Sequence, residues 1–462
     1  MSEPWKATTI QECLNAAFAG EWGAEPNPGN TVVFRATDIN DEGRIVGAGA
    51  LRRLPIGKLA AKRLQEGDIL LEGSGGGPDK PVGRVAYFDA RTNVDHAVCS
   101  NFFKTLRPAR DRVDPRFLLR KLAWFYKQAP ILALQQQTTG IINLKFEEYL
   151  ASSIDVPPSL AEQSKIAQVL DTLDAAVQAT EAIIAKLTAV KEGLLHDLLT
   201  RGIDANGELR QPQAEAPHLY KPSPIGWIPK EWDIVRLDDI SVRGSGHTPS
   251  KSVPSYWNGG IKWVSLADSH RLDRIFITET DKEISALGIA NSSAVLHSAG
   301  SVILSRDAGV GKSAVLGCDM AVSQHFMAWR CGDRLNNLFL YFYLQREKPK
   351  FEAIALGSTI KTIGLPFFKN YEVALPSRAE QDQAVASLLT AEANLSEHIV
   401  EAAKLKEFKV GLMDDLLTGR VCVTSLLGED KQQEAGGADG LGTRGRRKAF
   451  RRPVAGTGLG PH

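Results

Sequence analysis

The sequence predicts an α+β protein, in which two globular domains are separated by two long helices forming an antiparallel coiled coil, with a pseudo-twofold internal repeat. Three observations predict it. First, one stretch occurs twice. Pro158-Ser159-Leu160-Ala161-Glu162-Gln163 runs on to Leu198-Leu199-Thr200, and Pro376-Ser377-Arg378-Ala379-Glu380-Gln381 runs on to Leu416-Leu417-Thr418, without a gap between the copies. So long a period marks a duplicated half-molecule, since solenoid repeats are far shorter. Second, both copies carry a heptad pattern. Third, the order of strands and helices before the first copy is replayed before the second. The resulting map is 1–157 globular, 158–203 helix, 204–225 linker, 226–375 globular, 376–420 helix and 421–462 tail.

Each long helix has a start signal. Ser159 with Glu162, and Ser377 with Glu380, match the S-x-x-E capping box, which satisfies free N–H groups at a helix start. Proline is absent beyond the opening, and the single glycine (Gly193, Gly411) lies near the far end. Apolar residues then recur in three- and four-residue steps. Ile166, Leu170, Leu173, Val177, Ile184, Leu187, Leu194 and Leu198 form the first seam; Ala384, Leu388, Ala391, Leu395, Ala402, Leu405, Leu412 and Leu416 form the second. Polar residues interrupt both at matching places, Thr180 with His398 and Lys191 with Lys409. Matched seams favour mutual pairing, with the polar positions fixing register. At 1.5 Å per residue such rods are about 60 Å long.

The first globular domain reads as strands at Thr31–Arg35, Gly67–Leu71 and Val82–Tyr87, with a glycine-rich turn over Gly73–Pro78. Phe117–Phe125 reads as a helix. Thr138–Leu144 and the strand-like Ser153–Val156 close the domain. In the second, Gly300–Leu304 matches Gly67–Leu71, Val310–Ala314 matches Val82–Ala86, and Phe339-Leu340 matches Phe117-Leu118. Ser358-Thr359-Ile360 then precedes the strand-like Tyr371–Leu375. Between the halves, Asp204–Pro224 has a linker's Pro, Gln, Ala and Glu content. After Val423 the Gly-, Arg- and Gln-rich composition predicts a disordered tail.

Composition bounds the function. At 462 residues the chain exceeds a single core. A net charge of +1 means that any nucleic-acid surface is a local patch. No apolar run spans a membrane, and the amino terminus lacks a secretion signal. Five cysteines without C-x-x-C spacing suit a reduced cytoplasmic protein without structural zinc.

Catalytic look-alikes fail on spacing. Gly309-Val310-Gly311-Lys312-Ser313 resembles the end of a phosphate loop, but Arg306 stands where the pattern needs its first glycine. Glu407-Phe408-Lys409 lies inside the second heptad helix. Asn27-Pro28-Gly29 lacks the aromatic of an amino-methyltransferase motif. The histidines show no ligand spacing, so neither a catalytic centre nor a metal site is expected.

The proline-led Glu-Gln helix starts (Pro158 to Gln163, Pro376 to Gln381), the two Leu-Leu-Thr ends and a third run carry a family resemblance. That run is Gly246-His247-Thr248-Pro249-Ser250-Lys251 followed by Tyr256-Trp257-Asn258-Gly259-Gly260-Ile261-Lys262-Trp263. From about residue 10 to about 423 the chain resembles the specificity (S) subunit of type I restriction-modification systems. The first half departs from it, having only Gly43–Leu54 where the third run would fall. The resemblance implies that 1–157 and 226–375 are target-recognition domains, each reading half of a split double-stranded DNA sequence, with the helices setting the gap. It also implies that two modification (methyltransferase) subunits and the restriction (motor-nuclease) subunits bind this chain. S-adenosylmethionine, ATP and Mg would be held by those partners, with no cofactor here and a cytoplasmic location.

DNA contacts are then expected by residue type, because Arg and Lys suit guanine or phosphate and Gln and Asn suit adenine. The candidates are Arg35, Thr37, Ser74, Lys80, Arg84 and Asn101 in the first domain. In the second they are Thr248, Ser250, Lys251, Lys262, Arg306, Lys312, Gln324 and His325. Arg84 and Lys312, beside the shared glycine turn, are the expected phosphate contacts. A coiled-coil scaffold that recruits partners without reading DNA is the alternative reading. A fused restriction enzyme with its own methyltransferase is opposed by the missing cofactor motifs.

Overall fold

The computed structural model describes residues 4–76, 80–89, 96–138, 140–355 and 362–427. The described residues form two compact units, those within 1–178 with 403–427, and those within 179–402.

In the first unit Lys6–Thr9 pairs antiparallel with Ser153–Val156, so the two ends of the domain close on each other. A four-stranded sheet orders Leu14–Ala19, Phe103–Pro108, Ile69–Glu72 and Val85–Tyr87. A second sheet places Thr31–Phe34 between Ala50–Arg52 and Ala97–Cys99, the last pairing being parallel. The helix Pro115–Tyr126 packs Phe117, Leu118 and Leu122 into the core with Ile69, Leu71 and Leu106.

The second unit repeats this plan. Asp233–Arg236 pairs with Glu372–Leu375, as the two domain ends do in the first unit. Val302–Ser305 lies between Phe326–Cys331 and Ser313–Leu316. Trp257–Val264 runs parallel to Met320–Val322. The helix Asn337–Ile354 takes the place of Pro115–Tyr126. Equivalence extends to register, since Leu70 faces Ala86 and Ile303 faces Ala314.

The long helices are Leu160–Leu198 and Arg378–Leu417, of 39 and 40 residues, and they pack together. In the first unit Ile166 and Leu170 share a core with Met413, Leu416 and Leu417. In the second, Leu198 and Leu199 share one with Ala384, Val385 and Leu388. The start of one helix therefore lies with the end of the other, which makes the pair antiparallel. Of the seam residues, Ile166, Leu170, Leu173, Val177, Leu198, Leu388, Leu395 and Leu416 are buried. Ile184, Leu187, Leu194, Leu405 and Leu412 are half-buried.

Two polar devices accompany the repeat. The Gln163 amide accepts from the Asp114 N–H at 2.7 Å and donates to the Pro157 and Arg112 carbonyls. Gln381 does the same to the Asn336 N–H at 2.8 Å and to the Pro376 and Arg334 carbonyls. Asp114 and Asn336 are the N-caps of Pro115–Tyr126 and Asn337–Ile354, so each glutamine ties a long helix to the start of a domain helix. The interrupting lysines form the second device. Lys409 meets Asp174 at 2.5 Å, and Lys191 pairs with Glu392. Asp174 is buried and also receives Arg120 at 2.6 Å. Burial alone would raise the Asp174 carboxyl, but Arg120 and Lys409 outweigh it and hold the carboxyl below its ordinary value.

The structure corrects three expectations. The capping boxes are half-realised. Ser377 accepts from the Glu380 N–H at 3.2 Å, but the Glu380 carboxylate turns away to Arg210 at 2.5 Å, the Trp232 indole and the Ile203 N–H. A buried carboxylate takes the stronger, charged donor. Within the glycine-rich turn, Ser74–Gly76 is a strand paired with Ile142 and Asn143; Gly77 and Pro78 lie outside the described residues. The Asp204–Pro224 linker is built into its unit. Ile203 bridges Leu209, Arg210 is buried on Glu380, and Tyr220–Ser223 forms a hairpin with Gly226–Pro229. Composition conceals this because the anchoring partner is far along the chain. Thr139, Ser358 to Ile360 and the tail from residue 428 also lie outside the described residues.

Gln163→Ala or Gln381→Ala should lower stability by about 2–3 kcal/mol, because several buried backbone groups lose their partner at once. Urea unfolding of the full chain measures it, and a loss below about 0.5 kcal/mol would contradict the tie. Asp174→Asn should cost about 3 kcal/mol by taking from Lys409 its carboxylate and from the buried Arg120 one of its two, Asp171 being the other. Glu392→Gln, in a half-exposed pair, should cost under about 1 kcal/mol. Since the Asp174 value is depressed on folding, its contribution is present above the ordinary aspartate value and disappears as pH falls through the folded one. A pH series of unfolding curves on wild type and Asp174→Asn tests that sign.

Candidate nucleic-acid interface

In the second unit the Gly246–Lys251 loop is held by the tryptophans that follow it. The Trp263 indole donates to the His247 carbonyl and the Trp257 indole to the Ser250 carbonyl, both at 3.1 Å. The two rings meet edge to face at 5.3 Å. Gly246 is required because a Cβ there would strike the Val322 carbonyl. This explains why the two halves of the quoted run occur together. Thr248, Lys251, Trp257, Trp263, Gln324 and His325 line an open cleft of about 430 Å³.

Within this group Thr248 Oγ1 donates to Gln324 Oε1 at 2.6 Å. Ser250 and Ser252 hydroxyls bond each other at 2.8 Å, and Lys251 is exposed. His325 Nδ1 sits 2.7 Å from Asp307 Oδ2, and Thr362 bonds the other oxygen of that carboxylate. Arg306 is tied to the Ile363 carbonyl at 3.0 Å and is mostly buried. Lys262 leaves the group. It bonds Glu279 at 2.9 Å, and that carboxylate raises its ammonium above the ordinary value.

Lys312 and Arg84 occupy equivalent places, for the Lys312 carbonyl accepts from Ser305 N–H and the Arg84 carbonyl from Glu72 N–H, both at 2.8 Å. Their partners differ. Arg84 is forked onto Glu72 (2.9 Å to each oxygen) and reaches Asp41 at 3.1 Å, so its charge is neutralised within the unit. Glu72 drives its value upward. Lys312 has Ser305 where Arg84 has Glu72, and donates to the Ser269 carbonyl at 3.1 Å. Among the described residues no ion pair ties Lys312 to a carboxylate. The Gly309–Ser313 segment is a hairpin turn that leads into the strand Ser313–Leu316. A phosphate loop would lead into a helix.

In the first unit Arg35 pairs with Asp38 at 2.9 Å beside the exposed Thr37. Ser74 donates to Asn143 Oδ1 at 2.6 Å. Asn101 and Lys80 are exposed. Backbone bonds from Ser100 N–H to the Phe34 carbonyl and from Ser74 N–H to the Phe102 carbonyl, with one from the Arg84 guanidinium to the Ala36 carbonyl, gather Arg35, Thr37, Ser74, Arg84 and Asn101 at one end of the sheets. Sequence reasoning missed Lys282, which lines the cleft because it pairs in register with Trp263. No local pattern signals that. It also missed Lys121 and Arg346, which cap the ends of the long helices. Lys121 is buried, donates to the Leu417 carbonyl at 2.6 Å and lies over Trp124 and Trp5, with burial pushing it down to about 8. Arg346 donates to the Leu199 carbonyl.

Comparison with known proteins places this arrangement. The type I restriction modification DNA specificity domain matches twice, over residues 3–189 and 229–405. A putative type I restriction enzyme MjaX specificity subunit of Methanocaldococcus jannaschii is 24% identical over 372 residues, covering 79% of this chain and 81% of that protein. The HindI specificity subunit of Haemophilus influenzae is 23% identical over 415 residues, 78% of this chain and 88% of that one. The type I restriction-modification S subunit from M. genitalium shares the fold, with a TM-score of 0.52 at 15% identity over 89% of this chain and 96% of that one. With both halves matched, the chain belongs to the type I restriction-modification DNA specificity family.

Proposed function

We propose that this chain is the non-catalytic DNA-specificity subunit of a type I restriction-modification complex, reading a split duplex target with one unit per half-site. The observation that carries the reading is a common frame, matched twice by a DNA specificity family, whose exposed sheet ends bear unlike polar side chains. Different side chains on one frame let the halves read different bases, while the paired helices set the gap as the spacing of a dimeric binder does. The scaffold alternative is not favoured, because the family match covers both globular parts as well as helix.

Two modification subunits and the restriction subunits would bind this chain, and S-adenosylmethionine, ATP and Mg would act on them. Among the described residues no helix is long and apolar enough to cross a membrane, and we assign the complex to the cytoplasm.

Lys312→Ala should weaken binding to all duplexes alike and reduce the salt slope by about one ion, since a phosphate contact carries no sequence information. Arg84→Ala should instead destabilise the fold, because it strands the buried Glu72. Binding titrations across a salt series, with thermal melts, separate the two. Methylome sequencing of cells with and without the gene tests the whole reading. A split adenine-methylated motif should depend on the gene, and an unchanged methylome would refute the assignment.

A further inference from the structure

Five of the candidate contact positions in the first unit have an equivalent position in the second. The strand Thr31–Phe34 and the turn after it correspond to Trp257–Val264 and its turn, because Arg35 N–H bonds Asp38 at 2.8 Å and Ser265 N–H bonds Asp268 at 2.9 Å. Ser100 N–H reaches the Phe34 carbonyl at 2.9 Å, and Ser323 N–H reaches Val264 at 2.8 Å. Phe103 N–H closes on Ser100 at 2.9 Å, and Phe326 N–H closes on Ser323 at 3.1 Å. Gly73 N–H bonds the Phe102 carbonyl and Arg306 N–H bonds His325. These bonds align Arg35 with Ser265, Thr37 with Ala267, Ser74 with Asp307, Arg84 with Lys312 and Asn101 with Gln324.

Chemistry changes at the first three pairs. It persists at two, the cations Arg84 and Lys312 and the carboxamides Asn101 and Gln324. Arg84 is spent on Glu72, which leaves the carboxamides as the matched pair with free chemistry. Both sit on the exposed shoulder of the same tight turn. Neither has positive φ, so the backbone does not need an amide there.

The Gln324 amide is partly engaged. Oε1 accepts from Thr248, and Nε2 lies 3.4 Å from His325 Nε2. An amide has two N–H donors and two acceptor lone pairs. One of each therefore remains, which is the set that adenine N7 and the N6 amino group require. Asn101 makes no side-chain hydrogen bond among the described residues.

From this juxtaposition we propose that Asn101 and Gln324 are equivalent specificity-determining residues, each reading an adenine of its own half-site in the major groove. Thr248 is the positioning residue that presents the Gln324 amide. The inference rests on the DNA-reading assignment above and adds the base and the residue that reads it.

The test is selection from a library of duplexes with randomised positions, using purified full chain, followed by sequencing of the bound fraction. Wild type should recover a split motif with an A·T pair in each half. Gln324→Ala should flatten one position of one half-site and leave the other half unchanged, and Asn101→Ala should do the mirror image. Discrimination at that position should fall roughly tenfold to hundredfold. Gln324→Glu keeps the shape but only accepts, so its preference should move from adenine toward cytosine. Thr248→Val should lower discrimination at the Gln324 position alone. Melting temperatures should match wild type, as the amides are exposed. A motif unchanged in both amide variants, or weakened evenly at every position, overturns the amide assignment while leaving the DNA-reading function intact. A wild-type chain that recovers no motif overturns both.

Discussion

The structure depends on a buried carboxamide. Gln163 and Gln381 are each almost fully excluded from solvent, and each satisfies an N–H and two carbonyls where a domain strand ends, a domain helix starts and a long helix begins. Three chain segments converge there, and none can satisfy its own backbone groups. Glutamine supplies donor and acceptor in one side chain long enough to reach all three. An apolar residue would leave buried polar groups without partners, and a charged one would add a desolvation penalty. This is why a glutamine recurs at the start of both long helices.

Around this tie the two units solve the same problem with different chemistry. The far end of each long helix is capped by a cation from the neighbouring domain helix, Lys121 on Leu417 and Arg346 on Leu199. A cation suits a helix carboxyl end because of the dipole and the free carbonyls there. The buried start of each helix keeps its glutamate, but Glu380 holds Arg210 and Trp232 while Glu162 lies 3.8 Å from Cys422 Sγ. The inter-helix pairs diverge similarly. Asp174 is buried against Arg120 and Lys409, with Arg44 at 3.6 Å, whereas Glu392 has one lysine and partial exposure. Equivalent positions therefore differ in energetic weight by several-fold, because the worth of an ion pair follows its burial.

The same logic sorts the polar residues at the sheet ends. Cations near an acidic neighbour are consumed by the fold, as Arg84 is by Glu72 and Lys262 by Glu279. Those facing only backbone carbonyls are left without an ion pair among the described residues, as Lys312 is. Amides in the turns keep part of their hydrogen-bonding capacity. A surface for reading bases can thus be distinguished from a surface of internal ion pairs by asking which partners each side chain already has.

The sequence alone encodes the duplication, the two long helices and most strands, because capping, heptad spacing and alternation lie within a few residues of each other. It flagged Lys191 and Lys409 as polar interruptions, and it matched Arg84 to Lys312. What those residues do follows from contacts made on folding. Asp174, Glu392, Glu72 and Ser269 lie on other elements, and no local pattern announces them. The Asp204–Pro224 segment reads as linker for the same reason, since Arg210 is anchored by a glutamate 170 residues away. Local order follows from spacing along the chain, whereas the charge left free for a ligand follows from which groups the fold has already paired.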